Sequence, residues 1–467
     1  MQKFHVRTFG CQMNEHDSER IAALFGAEGM ERTDDPEDAD YIVLNTCCIR
    51  ENADNKLYGH LGHLKSLRDR KPDLQIAVGG CLAQKDRDLL AKRAPHVDAV
   101  FGTHNIGRAV TLLREARSEG RQRVEILETP EADDFPTAMA VRADLPYAAW
   151  VTIQIGCDNS CAFCIVPAVR GPEVSRPFEE IVSEVANLAA LGTTEVTLLG
   201  QNVNSYGRDG AANPRPRFAE LLRAVGAIDG IERVRYTSPH PKDLRPDTIA
   251  AMAETPAVCE HLHLPLQSGS DDVLKAMRRG YTAERYLAKL RAARAAIPGL
   301  AVTTDIIVGF PGETDADFER TLEVAAEASY DSAYTFIFSP RPGTRAAEML
   351  ERAVPEEVIA ERFARLKVVI DRSALAKHEA RVGLSEEVVV EGRSKKDPAA
   401  LAGRTRQNKL VNFRPEISGE PVDLSPGRYA TVRVEKAGAH HLNGKLQSVA
   451  DLRAVPGRRI PLRVAAG

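Results

Sequence analysis

The chain of 467 residues has few aromatic side chains and no long apolar run. Aromatic residues make up 5% of it, with a single tryptophan. No apolar stretch approaches the roughly 18 residues that a membrane-spanning helix requires. Residues 1–9 lack the apolar core of a secretory signal peptide, so we expect a cytoplasmic protein without membrane association. In that compartment the eight cysteines indicate metal or redox ligands rather than disulfide bonds.

The net charge is also small, with a formal value of −4. This balance argues against a protein that binds nucleic acid uniformly along its surface. The charge is segregated, however, because residues 381–467 hold sixteen Lys and Arg against nine Asp and Glu. A local basic face is therefore predicted near the C-terminal end. The chain length and the 43% of hydrophobic residues favour two or three globular domains.

Three cysteines stand within eight residues, at Cys157, Cys161 and Cys164, with the spacing C-x3-C-x2-C. A structural zinc ion is normally coordinated by four protein ligands, whereas an iron–sulfur cluster can be bound by three cysteines with one iron left open to another ligand. Packing of small apolar side chains is one alternative, and zinc completed by another Cys or His is a second. The neighbouring Gly156 and Asn159 indicate a turn rather than a core segment. The spacing favours an open iron–sulfur cluster at a catalytic centre.

The cysteine loop follows a β-rich run, 150–155, at the carboxyl end of a predicted strand, where α/β folds place their sites. Together the loop and its position resemble the radical S-adenosylmethionine (SAM) superfamily. The resemblance implies that the three thiolates hold a 4Fe–4S cluster whose fourth iron binds SAM. It also implies that one electron from this cluster cleaves SAM to methionine and a 5′-deoxyadenosyl radical.

The first unit of the chain, predicted as 1–130, alternates β-rich runs with helical stretches and indicates a small parallel α/β domain. Its predicted strands are 4–9, 41–45, 75–79 and 97–101, and its predicted helices are 18–27, 54–69 and 86–94.

Single cysteines follow three of these strands, at Cys11, Cys47 and Cys81. Because parallel strands present their carboxyl ends at one edge, we expect the three thiols to gather there and hold a second cluster. Three unrelated buried cysteines are the alternative. Cys48 and Cys259 are expected to serve packing.

A polar passage, 128–136, indicates a linker to the second unit, predicted as 143–375. Six β/α repeats are too few for a closed barrel of eight strands, so we expect an open (β/α)6 barrel with its mouth at the loops after the strands. The predicted strands are 151–155, 195–199, 233–237, 261–264, 302–308 and 332–338, and the predicted helices are 178–191, 218–225, 244–253, 283–296 and 315–328.

Polar loops follow several of these strands and are candidates for binding a nucleoside cofactor. Their candidate residues are Gln201, Asn202, Ser238, Gln267, Ser268 and Gly309. A turn that needs a positive φ explains Gly309 equally well.

The third unit, predicted as 376–450 before a tail at 451–467, contains short β runs separated by Gly, Pro and Asn and indicates a small antiparallel barrel. Barrels of this kind bind oligonucleotides through cations that follow the backbone. A solubilising surface is the alternative. The available cations are Arg393, Lys395, Lys396, Arg404, Arg406 and Lys409.

The chain resembles the methylthiotransferase family of radical SAM enzymes along nearly its whole length. The three family parts occur in order, as an N-terminal domain with three separated cysteines, the three-cysteine barrel, and a C-terminal RNA-binding barrel of TRAM type. Residues 12–14 (QMN) and 173–175 (EVS) are most similar to the MiaB-type branch, which acts on isopentenylated adenosine in tRNA. The motifs that carry the resemblance lie at 10–18, 44–51, 79–81 and 170–177.

The resemblance implies that two SAM molecules and two 4Fe–4S clusters add a methylthio group to carbon 2 of the adenosine next to the anticodon. It further implies an electron donor such as flavodoxin or ferredoxin and a sulfur donor, and we expect a monomer. A C2–H bond is neither acidic nor hydridic, which favours radical chemistry on a base held out of its stack. Candidate RNA contacts are Arg170, Arg176, Arg404 and Lys409.

Two alternatives stay open. A methylthiotransferase could act on threonylcarbamoyl-adenosine in tRNA or on ribosomal protein S12, because a basic C-terminal unit does not select the base. A non-catalytic RNA-binding protein with structural or redox-sensing clusters would show the same charge pattern.

Overall fold

The computed structural model of the chain describes residues 1–10, 12–47, 51–127, 147–210 and 215–450. Cys11, Cys48, the predicted linker at 128–136 and the predicted tail at 451–467 therefore lie outside the described residues. Within these ranges no helix has the length and apolar character needed to cross a bilayer.

The first unit is a parallel sheet of six strands, in the order β2-β1-β3-β4-β5-β6, with helices on both faces. Every residue of β3 and β4 is buried, as expected for central strands covered on both sides. The predicted parallel α/β unit is confirmed, although β2, β6 and α5 were not predicted. The elements are β1 (Lys3–Thr8), α1 (Gln12–Ala27), β2 (Glu31–Arg32), β3 (Tyr41–Thr46), α2 (Glu51–Arg70), β4 (Gln75–Gly80), α3 (Cys81–Asp86), α4 (Asp88–Arg93), β5 (Ala99–Phe101), α5 (Ala109–Glu119) and β6 (Arg123–Glu125).

The second unit contains six parallel strands arranged as the triplets β7-β10-β11 and β12-β13-β14. A parallel bridge between Val234 and Val258 joins the triplets, so the strands follow chain order around a partial barrel. The predicted open barrel is confirmed. Its elements are β7 (Ala148–Thr152), β8 (Gln154–Ile155), α6 (Val166–Arg170), β9 (Val174–Ser175), α7 (Phe178–Ala190), β10 (Glu195–Leu199), α8 (Phe218–Gly226), β11 (Arg233–Tyr236), α9 (Pro246–Glu254), β12 (His261–His263), α10 (Asp271–Ala276), α11 (Ala283–Ala296), β13 (Ala301–Val308), α12 (Asp315–Ala328), β14 (Ser332–Ile337) and α13 (Glu356–Glu379).

Amphipathic helices cover the outer face of this barrel. In α7, Ile181, Val185 and Leu188 recur at helical spacing and are buried in the same core as Val151 and Val196 of the strands. The predicted first strand is divided, because β8 leaves the barrel sheet and pairs antiparallel with β9. This divergence points the cysteine loop that follows β8 toward the barrel mouth.

The third unit is a closed barrel of five strands in the order β15-β16-β17-β21-β20. The predicted small barrel is confirmed, with one correction: β17 and β21 pair in parallel, so the barrel is not wholly antiparallel. Neither β16 nor α13, the helix that leads into this unit, was predicted. The elements are β15 (Ser385–Arg393), β16 (Leu401–Thr405), β17 (Leu410–Arg414), β18 (Glu416–Ile417), β19 (Glu420–Pro421), β20 (Tyr429–Ala437) and β21 (Leu442–Val449).

Ion pairs of two arginines join the C-terminal barrel to the amino ends of the strands of the partial barrel. Arg233, which is fully buried at the start of β11, donates from Nη1 to the carbonyl of Arg404 at 2.7 Å and from Nη2 to Glu387 at 2.9 Å. The Arg406 guanidinium binds Glu260 just before β12. The C-terminal unit therefore closes the end of the barrel opposite the cysteine loop.

Candidate active site at the mouth of the partial barrel

The cysteine loop is anchored by its backbone. Gly156 has φ +78°, and a Cβ there would overlap the carbonyl of Pro172, so only glycine fits this entry into the loop. The amide of Cys157 donates to the carbonyl of Gly171 at 3.2 Å, and that of Ala162 donates to Met277 at 2.9 Å. The loop is thereby fixed at both sides of the barrel mouth.

Cys157, Cys161 and Cys164 all line one cavity of about 1360 Å³. Burial, followed by the nearby thiols, raises the pKa of Cys164 to about 12, and burial also raises the pKa of Cys157. Metal ions displace the protons of such thiols on binding. Three sulfur donors that border open space fit an iron–sulfur cluster with one exposed iron. In the described parts of the chain no three His, Cys, Asp or Glu side chains surround a single-ion position.

Two side chains donate hydrogen bonds to these sulfurs. Arg279, which is buried, donates from Nη1 to Sγ of Cys161 at 3.2 Å, and its Nε donates to the hydroxyl of Tyr281 at 3.2 Å. Asn159 donates to Sγ of Cys157 at 3.5 Å and itself accepts from Lys242 at 2.6 Å. Positive charge and donors beside cluster ligands stabilise negative charge on the sulfur.

Three of the six predicted cofactor-binding residues line the same cavity, namely Gln201, Ser238 and Gln267. Both amide atoms of Gln201 and Oε1 of Gln267 are buried without a hydrogen-bond partner among the described residues. Ser238 and Gln267 have φ values of +59° and +67°, which are strained for residues with a Cβ. Buried polar atoms without partners beside a cavity mark positions for a polar ligand.

The other three predicted cofactor residues support the loops and do not line the cavity. Asn202 donates to Asp243 at 2.8 Å, and Ser268 lies 3.2 Å from the Thr321 hydroxyl. Gly309 has φ +77°, and a Cβ there would come within 2.7 Å of Ile359. A turn requirement is therefore sufficient to explain this glycine.

The inner wall of the barrel carries polar side chains that sequence reasoning missed. His261 and His263 of β12 both lie about 3 Å from the hydroxyl of Thr303 on β13, at 3.1 and 3.0 Å. Burial lowers the pKa of His261 well below its usual value, so this imidazole is neutral. The period-two alternation of polar residues in β12 and β13 is the signal that could have identified this wall. The cavity reaches further along it to Asp305 and Tyr334.

The predicted second cysteine group lies at the edge of the first sheet. Thr46 pairs with Gly80, so that Cys47 and Cys81 directly follow the ends of two neighbouring strands. Both are buried, and a Cβ on Gly10 would overlap the Cys47 side chain. Gly10 and Gln12, on either side of Cys11, line the large cavity. The carboxyl edge of this sheet therefore faces the same space as the cysteine loop.

Two of the four predicted RNA contacts are buried near the cysteine loop. Arg170 donates from Nη2 to Asp17 of α1 at 2.8 Å, and its side chain is 6% exposed. Arg176 binds the carbonyl of Thr152 and the carboxylate of Glu184, with 1% exposure. In this structure both guanidinium groups join segments of the protein rather than face solvent.

The other two predicted RNA contacts belong to the interface below the barrel. Lys409 forms a buried ion pair with Asp331 at 2.6 Å, and Arg404 binds Glu391 at 2.7 Å. Both side chains border the lower part of the cavity, together with Asn408. The sequence shows their charge but not the carboxylates that neutralise it.

Solved radical SAM structures share this fold. The methyltransferase TsrM from Kitasatospora setae, solved with cobalamin and a 4Fe–4S cluster, matches with a TM-score of 0.55 at 16% identity over 75% of each chain. The cobalamin-dependent enzyme OxsB matches with a TM-score of 0.51 at 13% identity, over 80% of this chain and 56% of OxsB. At these identities the likeness concerns the fold alone.

The partial barrel and its three-cysteine loop define a radical SAM protein, and the Radical SAM superfamily model matches residues 151–325. Models of the UPF0004 family and the TRAM domain match 3–102 and 379–446. The chain belongs to the family of tRNA-2-methylthio-N(6)-dimethylallyladenosine synthases. The relative from Salinispora arenicola is 52% identical over 97% of this chain and 90% of its own length, and that from Streptomyces coelicolor is 54% identical over 94% and 86%.

Proposed function

We propose that this chain is a tRNA methylthiotransferase that adds a methylthio group to carbon 2 of N6-dimethylallyladenosine next to the anticodon. The observation that carries the proposal is the three-thiol loop, which borders a cavity that runs through the barrel to the TRAM unit. Relatives with this name cover nearly the whole chain at about half identity. A tRNA substrate also favours a cytoplasmic location.

Cys157, Cys161 and Cys164 would hold one 4Fe–4S cluster, with the remaining iron open to SAM. Cys47 and Cys81, with Cys11, would hold the second cluster at the facing edge of the first sheet. When bound, the first cluster and SAM supply a 5′-deoxyadenosyl radical, the chemistry that an unactivated C–H bond requires. The boundaries of the three units at 1–130, 143–375 and 376–450 belong to this proposal.

The protein's own side chains position the reactants. Gln201, Ser238 and Gln267 provide polar atoms toward the cavity near the cysteine loop and would bind SAM. The wall formed by His263 and Tyr334, whose rings make an edge contact with centroids 6.2 Å apart, would hold the flipped base. Because Tyr334 is 59% exposed, its ring is available for stacking on a base.

A row of cations on the outer face of the TRAM unit would hold the RNA backbone. Arg414 pairs with Lys445, and Lys445 pairs with Arg433, so three exposed cations stand side by side on β17, β21 and β20. Neighbouring strands lie about 4.8 Å apart, so the row spans roughly 10 Å. Like charges directly opposite on neighbouring strands destabilise a sheet, which favours an anionic ligand at this row.

The partners of these cations support that assignment. Arg433 and Lys445 form no ion pair with any described residue, and Arg414 has only Asp397 at 4.0 Å. The cavity-lining Leu410 lies on the same strand as Arg414, four residues or about 13 Å away. A tRNA loop could therefore lie on the row while its target base enters the cavity. We further propose a protein electron donor, a separate sulfur donor and a monomeric enzyme.

The proposal is tested by replacing single cysteines in the anaerobically reconstituted protein. Cys157→Ala should lose SAM cleavage to 5′-deoxyadenosine while tRNA binding is retained. Cys259→Ala is the control, because Cys259 is also buried but does not line the cavity. The proposal would be overturned if Cys157→Ala cleaved SAM at the full rate. It would also be overturned if the wild-type protein, with its iron and sulfide in place, cleaved no SAM.

A further inference from the structure

A second concave surface lies beside the cysteine loop. This basic pocket has a volume of about 660 Å³ and is lined by Ser160, Tyr281 and the cations Lys275, Arg278 and Arg285. Ser160 directly precedes Cys161. The pocket therefore adjoins the cysteine loop, whose neighbouring residues Asn159 and Cys161 line the large cavity.

The cations of the basic pocket are available to a partner. Lys275, Arg278 and Arg285 are exposed, and none of them forms an ion pair with any residue that the structure describes. Lys242 extends the positive surface, because its side chain lies next to Gly280, which also lines the pocket. Asp271 and Asp272 lie in the same lining and leave a net positive charge.

Two chains of hydrogen bonds connect this surface to the cysteine sulfurs. From the floor of the pocket, the Tyr281 hydroxyl accepts from Arg279 at 3.2 Å, and Arg279 donates to Cys161 at 3.2 Å. From the rim, Lys242 donates to Asn159 at 2.6 Å, and Asn159 donates to Cys157 at 3.5 Å. The basic pocket is thus joined to two of the three predicted cluster ligands through one or two side chains.

We propose that the basic pocket is the docking surface for an acidic one-electron carrier protein that reduces the cluster held by Cys157, Cys161 and Cys164. The inference rests on the proposed function, since it requires a cluster at these thiols. One electron leaves the reduced carrier, which is oxidised, and enters the cluster, which is reduced by one electron. No bond is broken and no proton is transferred in this step.

The mixed charge of the pocket favours a protein over RNA. Asp271 and Asp272 would repel a phosphate backbone, whereas a protein surface with acidic and basic groups can satisfy both signs. Tyr281 is 8% exposed and offers no stacking platform for a base. The proposed path of the target base also runs through the large cavity, whose lining shares no residue with that of the basic pocket.

The test is stopped-flow reduction of the reconstituted holoenzyme by reduced flavodoxin, and in parallel by dithionite. The triple variant Lys275→Gln, Arg278→Gln, Arg285→Gln should lose about tenfold or more of the bimolecular rate constant with flavodoxin at low salt. The difference in this rate constant between the triple variant and the wild-type protein should shrink at high salt. The rate of reduction by dithionite should be the same in both proteins. Lys65→Gln, an exposed lysine on α2, is the control for a general loss of charge.

An unchanged flavodoxin rate in the triple variant would overturn the inference. So would a loss of tRNA affinity with normal reduction, because the pocket would then be an RNA contact. A reconstituted wild-type protein that takes up no cluster at all would overturn the proposed function and this inference together, and iron and sulfide analysis detects this before any mixing.

Discussion

The guanidinium of Arg279 lies 3.2 Å from the sulfur of Cys161 and is held there, out of solvent, by Tyr281. A fixed positive charge at this distance favours the more negative, reduced state of a cluster bound to that sulfur. The relationship joins a residue of the α10–α11 connection to the loop after β8, which lie 118 positions apart in the chain.

Replacing this arginine should lower the reduction potential of the cluster. Hydrogen bonds to charged groups contribute about 1.5–3 kcal/mol, which corresponds to roughly 65–130 mV for one electron, so Arg279→Gln should shift the midpoint by that amount. Electron paramagnetic resonance of the poised holoenzyme measures the shift. Arg278→Gln is the control, because this exposed neighbour makes no contact with a cysteine sulfur. Equal midpoints for Arg279→Gln and wild type would contradict the role.

The buried ion pair between Lys409 and Asp331 should contribute to stability across the interface of the two barrels. Removal of one partner from a buried pair costs about 3–5 kcal/mol, because the other charge stays buried without compensation. Burial lowers the pKa of Lys409, and Asp331 offsets this effect. We expect Lys409→Met to reduce the free energy of unfolding by about 3 kcal/mol in urea titrations. The exposed Lys445→Met should change it by less than about 0.5 kcal/mol, and similar losses for both variants would refute the assignment.

His16 should make the protein sensitive to acid. Burial lowers the pKa of His16 from 6.5 to about 4, and its ring lies 3.0 Å from the Thr152 hydroxyl between the first two units. Above pH 6.5 both the folded and unfolded states are neutral at this residue. Below it the unfolded state binds a proton that the folded state rejects, so stability falls as the pH drops from 6.5 toward 4.

The size of this effect can be measured with His16→Gln. Between pH 7 and pH 5 the histidine should account for about 2 kcal/mol of lost stability, at about 1.36 kcal/mol per pH unit below its unfolded pKa. Between these two pH values the free energy of unfolding of His16→Gln should therefore fall by about 2 kcal/mol less than that of the wild-type protein. An identical loss in the two proteins would show that His16 is protonated in the folded state.

The cation row on the TRAM unit should set the salt dependence of tRNA binding. Each phosphate contact contributes about one unit to the slope of log affinity against log salt. The slope should therefore fall by two to three units in the triple variant that combines Arg414→Gln, Lys445→Gln and Arg433→Gln. Arg223→Gln on α8, a partly exposed cation on the SAM barrel, should leave this slope unchanged. A slope equal to that of wild type in the triple variant would assign RNA binding to another surface.

The secondary-structure elements that were predicted correctly are those that local sequence patterns determine. Helices α11 and α12 were predicted with the bounds that the structure has, because their apolar spacing is regular and α12 begins with a capping box at Thr314 and Asp317. Helix α13 was missed, because two of its buried residues, Arg362 and His378, are polar and interrupt the apolar spacing of its inner face. The parallel pair of β17 and β21 depends on barrel closure, which no short segment reveals.

The same distinction between local patterns and tertiary contacts holds for the residues of the candidate site. Spacing alone predicted the three-cysteine loop, whereas Arg279 reaches Cys161 only because α10 ends beside that loop. The four arginine and lysine residues predicted as RNA contacts each pair with a carboxylate, and two of these partners are distant in the chain, namely Asp17 for Arg170 and Asp331 for Lys409. Charge can be read from a sequence, and its neutralisation by tertiary contacts cannot.

The most direct test of the proposed reaction is mass spectrometry of nucleosides from tRNA incubated anaerobically with the reconstituted protein, SAM and a reductant. Two preparations of one tRNA are compared, with and without the isopentenyl group on the adenosine next to the anticodon. We predict the 2-methylthio nucleoside from the isopentenylated tRNA and none from the other. SAM cleavage without this product, or equal product from both preparations, would contradict the assigned substrate.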